Sequence, residues 1–143
     1  MKIGVWIGQG RSAHCLFLLL GLSLTQLLQA EESATGEHVY QEVCSTCHGQ
    51  NVPRAPQLNN RKHWAPLLRE GQAVLTSHGW VGVRGMPARG GKPDLSLVAF
   101  SRAVAYMARS AGGHWPDPDA AMLAQIEKEV AKREAARRKR MAR

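Results

Sequence analysis

The chain contains little cysteine. Three cysteines occur among its 143 residues, and one of them, Cys15, lies in an apolar segment near the amino terminus. The other two, Cys44 and Cys47, are too few for a zinc site made of four cysteines. A zinc ion held by this pair would need histidines from elsewhere in the chain to complete its coordination. The candidates for that role are His63, His78 and His114.

The sequence also lacks strands and repeats. No segment alternates apolar with polar residues in the way that predicts a half-buried strand, and no segment recurs along the chain. In a thioredoxin-like protein the paired cysteines lie at a strand-to-helix junction of a βαβ unit. The absence of such a unit argues against that interpretation of Cys44 and Cys47 and favours an all-α fold.

Long apolar runs are absent as well. The longest covers residues 15–28, about 14 residues, whereas a helix needs roughly 20 to cross a bilayer. Lys2 and Arg11 precede the run and Ala30 follows it, which is the layout of a secretory signal peptide. We therefore predict a cleavable signal over residues 1–30. An uncleaved membrane anchor is the alternative, and polar residues interrupt the longer span that it would need: Gln9, Arg11 and His14.

Positive charge is concentrated at the carboxyl end. The formal net charge is +8, yet residues 31–127 contain as many acidic as basic side chains. From Lys128 onward, eight lysines and arginines accompany only two glutamates. This tail is interpreted either as a solvated helix or as a basic helix that docks on an acidic protein or on anionic lipid. A thin apolar stripe runs through the tail and consists of Leu123, Ile126 and Val130.

Apolar spacing and turn residues predict several helices joined by irregular loops. Gly36 and Tyr40 are four residues apart, so they share a helix face on which another helix can cross closely. Pro66 is expected in the first turn of its helix. Asp94 or Ser96 is expected to cap the fourth helix, and Asp117 or Asp119 the last one. The predicted helices cover residues 34–47, 63–70, 73–78, 97–110 and 120–139.

The run Cys44-Ser45-Thr46-Cys47-His48 indicates covalent attachment of a haem. Two thiols two residues apart can each add to a vinyl group of one haem, and the histidine that follows lies under the iron. The other ring nitrogen of His48 then needs an acceptor, which we expect in the loop over residues 49–60. A structural disulfide, a thioredoxin-like pair and half of a zinc site are the competing interpretations of the same residues.

The glycine-rich loop over residues 79–93 carries a candidate second ligand. Pro87 biases Met86 toward an extended backbone that directs its side chain out of the loop. Met107 lies at core spacing on a helix and is interpreted as packing. His63 and His78 are rival ligands, interpreted as surface or propionate-side histidines. Arg84 and Arg89 flank the loop, and solvation is the default expectation for both.

With these residues in place the chain resembles the class I c-type cytochromes, and within them the cytochrome c5 family of small bacterial monohaem proteins. The similarity covers residues 35–111. The motifs that carry it are Gly36 with Tyr40, Cys44 to His48, Ala55-Pro56-Gln57-Leu58, Trp64-Ala65-Pro66, Met86-Pro87, Arg89-Gly90-Gly91 and Val104-Ala105-Tyr106-Met107.

The resemblance implies about four core helices around one covalently bound haem c. In it Cys44 and Cys47 attach the haem, and His48 and Met86 are its axial ligands. The carbonyl of Pro56 would accept a hydrogen bond from the His48 ring, and Trp64 would direct its indole N–H toward a propionate. One departure is plain, because family members often carry two further cysteines where this chain has residues 91–96, so this loop lacks a disulfide.

A six-coordinate haem implies a single-electron carrier rather than an enzyme. We expect a cytochrome domain over residues 31–113 and a basic helical extension over residues 114–143. The expected location is the periplasm. The expected partners are redox proteins such as a cytochrome reductase, an oxidase or a periplasmic dehydrogenase, and not nucleic acid. The alternatives are a haem-bearing subunit of a larger oxidoreductase and a haem enzyme or sensor with a labile sixth ligand.

Overall fold

The computed structural model describes residues 34–49 and 52–143, so the predicted signal peptide lies outside the described residues. The described chain is helical, and the predicted all-α fold is confirmed. Helix α1 consists of Gly36–Val39, a π-helical turn at Tyr40–Cys44, and Ser45–His48. The other elements are α2 at Arg61–Leu68, α3 at Gln72–Val81, a 3₁₀ turn at Ala88–Gly91, α4 at Leu97–Ser110 and α5 at Ala120–Met141.

Polar side chains begin four of the helices. In each case the side-chain oxygen accepts a hydrogen bond from the backbone N–H three residues on, which satisfies one of the free donors of the first turn. Of the caps that the sequence left open, Ser96 begins α4 and Asp119 begins α5. The other capping residues are Thr35 for α1 and Asn60 for α2. Gly71, at φ 85°, begins α3 and makes the turn from α2.

Helices α1 and α4 cross at Gly36. A Cβ atom at this position would lie 2.2 Å from the carbonyl oxygen of Arg102, so only glycine permits the approach. One turn farther along α1, the ring of Tyr40 packs on that of Tyr106 with centroids 5.6 Å apart. The close helix crossing expected on the face of Gly36 and Tyr40 is confirmed, and its partner is α4.

The core lies along α4. Phe100 is 1% exposed and lies edge to face with Trp80 of α3, with ring centroids 5.5 Å apart. Small residues elsewhere on α4 let its neighbours approach. The α4 residues with no exposed surface are Ala99, Ser101, Ala103, Ala105 and Ala108.

The sequence-based helix limits are wrong in two places. Pro66 is the sixth residue of α2 rather than part of its first turn. Because proline has no backbone N–H, it cannot donate the intrahelical hydrogen bond to the carbonyl of Lys62. Helix α3 continues through Gly79 to Val81, where an irregular loop was expected. The reason is packing, since a Cβ atom at Gly79 would lie 2.9 Å from Cζ of Phe100.

The carboxyl-terminal helix α5 packs along α3. Ile126 has no exposed surface and lies in this contact. A wholly solvated tail, one of the two interpretations offered by the sequence, is therefore wrong for this part of α5. Farther along α5, two arginines contribute hydrogen bonds to the contact: Arg133 donates to Ser77 Oγ at 2.8 Å and Arg137 donates to the Val81 carbonyl at 3.3 Å.

Candidate functional site

The two cysteines lie where α1 changes its winding. The backbone N–H of Ser45 donates to the carbonyl of Tyr40, five residues back, which closes a π-helical turn directly before the motif. Such turns insert one residue and shift the side chains that follow around the helix axis. Cys44 is buried at 5% exposure and Cys47 is exposed. The uniform helix expected over residues 34–47 therefore contains an irregularity at the functional segment.

Cys44 and Cys47 are free thiols rather than a disulfide. Burial, with the nearby Cys47 as a smaller cause, raises the pKa of Cys44 to about 11. A reactive cysteine of the thioredoxin kind needs the opposite, a thiol pKa lowered by positive charge or a helix N-terminus. In the described part of the chain, no three residues of the types His, Cys, Asp and Glu come together to hold a metal ion.

His48 is oriented by the carbonyl of Pro56. The Nδ1 atom of His48 lies 2.8 Å from this oxygen. A carbonyl oxygen only accepts, so Nδ1 must carry the ring hydrogen in this contact. The lone pair of a neutral imidazole then resides on Nε2, which leaves that nitrogen able to coordinate a metal.

The loop that supplies Pro56 is held against α1 at a second point. The backbone N–H of Leu58 donates to the carbonyl of His48 at 2.8 Å. Within the loop, Nε2 of Gln57 donates to the carbonyl of Ala55 at 2.8 Å and to that of Val52 at 3.1 Å. These bonds fix both the backbone and the ring of His48.

Trp64 is buried in the core at 3% exposure. Its indole N–H donates to the carbonyl of Gln57 at 3.0 Å. An indole has only this one donor. The expectation that it points at a propionate is therefore not what the structure shows, and Trp64 instead supports the loop that carries Pro56.

Met86 closes a four-residue turn. Its N–H donates to the carbonyl of Val83 at 2.9 Å, and the N–H of Val83 donates back at 3.1 Å. Arg84, in the middle of the turn, adopts a left-handed backbone at φ 54°. The half-buried side chain of Met86 packs against the core, where its Cε would lie 3.3 Å from a Cβ atom at Gly79.

The rival ligands are placed differently. Met107 is buried on α4 at 4% exposure, in agreement with its interpretation as packing. His63 is exposed on α2. The Nδ1 atom of His78 lies 2.9 Å from a carboxylate oxygen of Glu70. This ring nitrogen is therefore engaged by Glu70.

Arg89 holds the loop that lacks cysteines. Its guanidinium lies 4.5 Å from the ring centroid of Trp80 and donates to the carbonyl of Pro93. A cation over an indole face is an attractive contact, and here it joins the loop to α3. Sequence reasoning treated Arg89 as a solvated charge, because its partner Trp80 is nine residues away in another element.

The Met86 loop and the cysteine segment meet in space. A Cβ atom at Gly90, in the 3₁₀ turn after Met86, would lie 3.1 Å from Cγ1 of Val43. Val43 directly precedes Cys44. The fold therefore brings together two segments that are more than forty residues apart in the chain.

Both segments lie within a stretch of the chain that matches a known protein family. A family model described as "Cytochrome C oxidase, cbb3-type, subunit III" matches residues 31–107, which include the cysteine motif, Pro56, Trp64 and Met86. The chain belongs to the c-type cytochromes. Its prosthetic group is a covalently bound haem c, attached through Cys44 and Cys47.

Similar curated proteins support the same assignment. The cytochrome c-555 of Chlorobaculum tepidum is 37% identical over 82 residues, which cover 54% of this cytochrome and 76% of the relative. That of Chlorobaculum thiosulfatiphilum is 35% identical over 80 residues, covering 53% and 93%. That of Prosthecochloris aestuarii is 34% identical over 82 residues, covering 52% and 83%.

A solved structure agrees with the fold. A chain from the crystal structure of an electron transfer complex of nitrite reductase with cytochrome c aligns with a TM-score of 0.50 at 37% identity. The alignment covers 53% of this cytochrome and 93% of that chain. The small class I cytochrome c fold expected from the sequence is confirmed.

The residues of this cytochrome fit a haem. His48 presents a free Nε2 next to the two thiols, and the ring is already held by Pro56. The family match ends at residue 107, so α5 lies beyond it. Among the described residues, none of the helices combines the length and the apolar character needed to cross a membrane.

Proposed function

We propose that this cytochrome is a single-electron carrier in which His48 and Met86 are the axial ligands of the haem iron. The observation that carries the proposal is the 2.8 Å contact between His48 Nδ1 and the Pro56 carbonyl. It selects the tautomer whose Nε2 can bind iron, next to two thiols at the spacing that attaches a haem.

The residues around the haem influence its reduction potential. When bound, the haem supplies an iron that takes up and gives up one electron. The Pro56 carbonyl polarises the Nδ1–H bond of His48 and so increases the basicity of Nε2. The thioether of Met86 is a soft and weak donor that favours ferrous iron, so the reduction potential is high relative to a bis-histidine site.

Two protein ligands also decide against catalysis at the iron. If Nε2 of His48 and the sulfur of Met86 both bound the iron, no coordination position would be left for a substrate. The turn at Val83 to Met86 is closed by two backbone hydrogen bonds, which limits release of the methionine. The cytochrome is accordingly proposed as a carrier and not as a haem enzyme or ligand sensor.

The ligand assignment is tested by the visible spectrum of Met86→His beside the parent. The oxidised parent is expected to show the methionine-to-iron charge-transfer band at the far-red edge, and the variant to lose it and to have a lower potential. Met122→Leu, a half-buried methionine on α5, is the control and keeps the band. A band that persists in Met86→His, or high-spin iron with rapid carbon monoxide binding in the parent, would overturn the proposal.

The proposed location is the periplasm and the proposed partners are redox proteins. The amino-terminal layout of residues 1–30 supports export. The similar cytochrome chain of known structure was crystallised in an electron transfer complex with nitrite reductase, which supports redox partners. For this cytochrome the proposed class is a periplasmic reductase, dehydrogenase or oxidase. The mass of the mature holoprotein tests export, because cleavage after Ala30 leaves a chain that begins at Glu31.

The second candidate function is a haem-bearing subunit of a larger oxidoreductase. The description of the matching family names a subunit of an oxidase, and this supports the second candidate. Native purification of the complex from membranes at moderate salt distinguishes the two, since a diffusible carrier is released and a subunit is retained. Deleting α5 is not a suitable test of tethering, because buried Ile126 makes that helix part of the packed structure.

Two narrower assignments are also proposals. We place the chain with the cytochrome c5 proteins on the motifs from Gly36 to Met107, and the relatives found are cytochromes c-555. We divide the mature chain into a cytochrome domain over residues 31–113 and an extension over residues 114–143. The end of the family match at residue 107 supports that division, although α5 packs on α3.

A further inference from the structure

A basic cleft separates α5 from the loop after α3. It has a volume of about 390 Å³ and lies beside Met86 and Pro87. Among the residues that line it there is no aspartate or glutamate. Four of them are arginines: Arg84, Arg133, Arg137 and Arg140.

The helical repeat explains why three arginines of α5 line the cleft. Arg133, Arg137 and Arg140 follow Ile126 at intervals of seven, four and three residues, which keeps them on the face that packs against α3. The apolar stripe of α5 therefore continues as a basic stripe. Because Ile126 is fully buried, the position of that stripe over the Met86 loop is set by packing and not by charge.

Two of the arginines are held in place by hydrogen bonds that use only some of their N–H donors. Arg133 uses Nε on Ser77 Oγ, and Arg137 uses one terminal nitrogen on the Val81 carbonyl. A guanidinium carries five N–H donors, so each retains several for a ligand. An anchored side chain has already lost much of its freedom, which lowers the cost of binding.

Within the described chain, no salt bridge joins one of these four arginines to a carboxylate. The salt bridges that involve α5 join Lys132 to Glu129 and Arg138 to Glu134, neither of which lines the cleft. The four arginines thus line the cleft without a salt bridge to any carboxylate of residues 34–49 and 52–143. Such a site selects oxyanions, and the guanidinium fork matches a carboxylate in a bidentate manner.

We propose that this cleft is a docking site for carboxylate side chains on the acidic surface of a protein partner. A cleft admits projecting carboxylates, whereas a flat bilayer would meet the outer faces of α5. That the partner is a redox protein rests on the proposed function, because docking here places it beside Met86 and hence beside the haem. The preference for carboxylates does not depend on that function.

The test uses hexaglutamate peptide as a probe and the reduced holoprotein. The variant Arg84→Gln/Arg137→Gln/Arg140→Gln removes three of the four positive charges of the cleft and keeps Arg133 on buried Ser77. Its matched control is Lys128→Gln/Lys132→Gln/Lys139→Gln, which removes the same charge from another face of α5. Calorimetric titration at low salt gives the affinity, amide shift mapping gives the location, and thermal unfolding confirms that both variants are folded.

We expect the arginine variant to bind hexaglutamate about tenfold more weakly and the lysine variant to stay within about twofold, since three exposed pairs together amount to roughly one decade of affinity. Amide shifts are expected at residues 81–88 and 133–140. Equal weakening in both variants, or shifts elsewhere, would show general charge attraction and overturn the site.

Binding to vesicles of equal parts phosphatidylcholine and phosphatidylglycerol tests the alternative that the cleft recognises a membrane surface. If hexaglutamate does not bind and only the arginine variant loses vesicle binding, the cleft recognises a membrane surface and the proposal is wrong. Failure here is distinct from failure of the proposed function, because the far-red band of the parent reports the iron ligands whether or not the peptide binds.

Discussion

The Nε atom of Arg133 lies 2.8 Å from Oγ of Ser77, and this hydrogen bond joins the basic tail to the haem-bearing core. Ser77 has no exposed surface, and its own hydroxyl hydrogen donates to the carbonyl of Val74 at 2.7 Å. Arg133 therefore supplies the second partner of a buried hydroxyl. The tail is a packed helix of the cytochrome and not an appendage.

Arg133→Ala is expected to lower the free energy of unfolding by about 1 kcal/mol, the usual cost of one lost hydrogen bond to a buried group. Urea denaturation of the holoprotein measures it. Lys132→Ala is the control, because the Lys132 side chain is 74% exposed and its removal should cost less than about 0.5 kcal/mol. Equal costs for the two variants would show that the contact with Ser77 contributes nothing.

Ile126→Ala tests the apolar part of the same contact. Ile126 is fully buried between α5 and α3, so its truncation is expected to cost about 2–5 kcal/mol. Met141→Ala, at a side chain that is 79% exposed, should change stability by less than about 0.5 kcal/mol. Far-ultraviolet circular dichroism and haem absorbance should report one common transition. An unchanged midpoint in Ile126→Ala would mean that α5 does not pack in solution.

The haem motif could be predicted from sequence because its chemistry is local. Cys44, Cys47 and His48 lie within five consecutive residues, and the resemblance that they start supplied Pro56 before the structure placed it at 2.8 Å. The crossing at Gly36 was also predictable, since a small residue on a helix face permits close approach. In each case the signal and the contact depend on a few neighbouring residues.

The parts that sequence reasoning missed depend on distant partners. The apolar pattern of α5 ends at Val130, so a search for apolar spacing could not find the hydrogen bond from Arg137 to the Val81 carbonyl. Arg89 looked like a loop charge until Trp80 was placed beneath it. Glycine normally signals a loop, but Gly79 lies in a helix because Phe100 of another helix needs the space.

Two glycine-to-alanine substitutions distinguish a steric clash from a general effect of replacing glycine. Gly36→Ala would place a Cβ atom 2.2 Å from the Arg102 carbonyl oxygen, which forces α1 away from α4. Overpacking of this kind costs about 1–3 kcal/mol, and we expect the upper end because the obstacle is backbone. Gly85→Ala is the control, since nothing lies within 4 Å of its Cβ position, and it should stay within about 0.5 kcal/mol of the parent. Thermal unfolding that fell equally in both would contradict the crossing.

The last prediction concerns acid. Burial lowers the pKa of His78 from its ordinary value of 6.5, and the nearby Arg133 and Arg84 lower it further, whereas Glu70 and Glu129 act in the opposite direction. The folded state thus favours neutral His78, whose ring N–H donates to Glu70 at 2.9 Å. Its contribution to stability is complete above pH 6.5, the pKa of the unfolded chain, and is lost as the pH falls through the lower folded pKa.

His78→Gln keeps an amide donor for Glu70 but cannot take up a proton. We therefore expect the free energy of unfolding of the parent to fall more steeply than that of His78→Gln between about pH 7 and pH 5. Urea denaturation at a series of pH values gives both curves, and the other histidines cancel in the difference. Parallel curves would show that His78 binds its proton equally well in the folded and unfolded chains, and the contact of α5 with α3 would then not shield it from solvent.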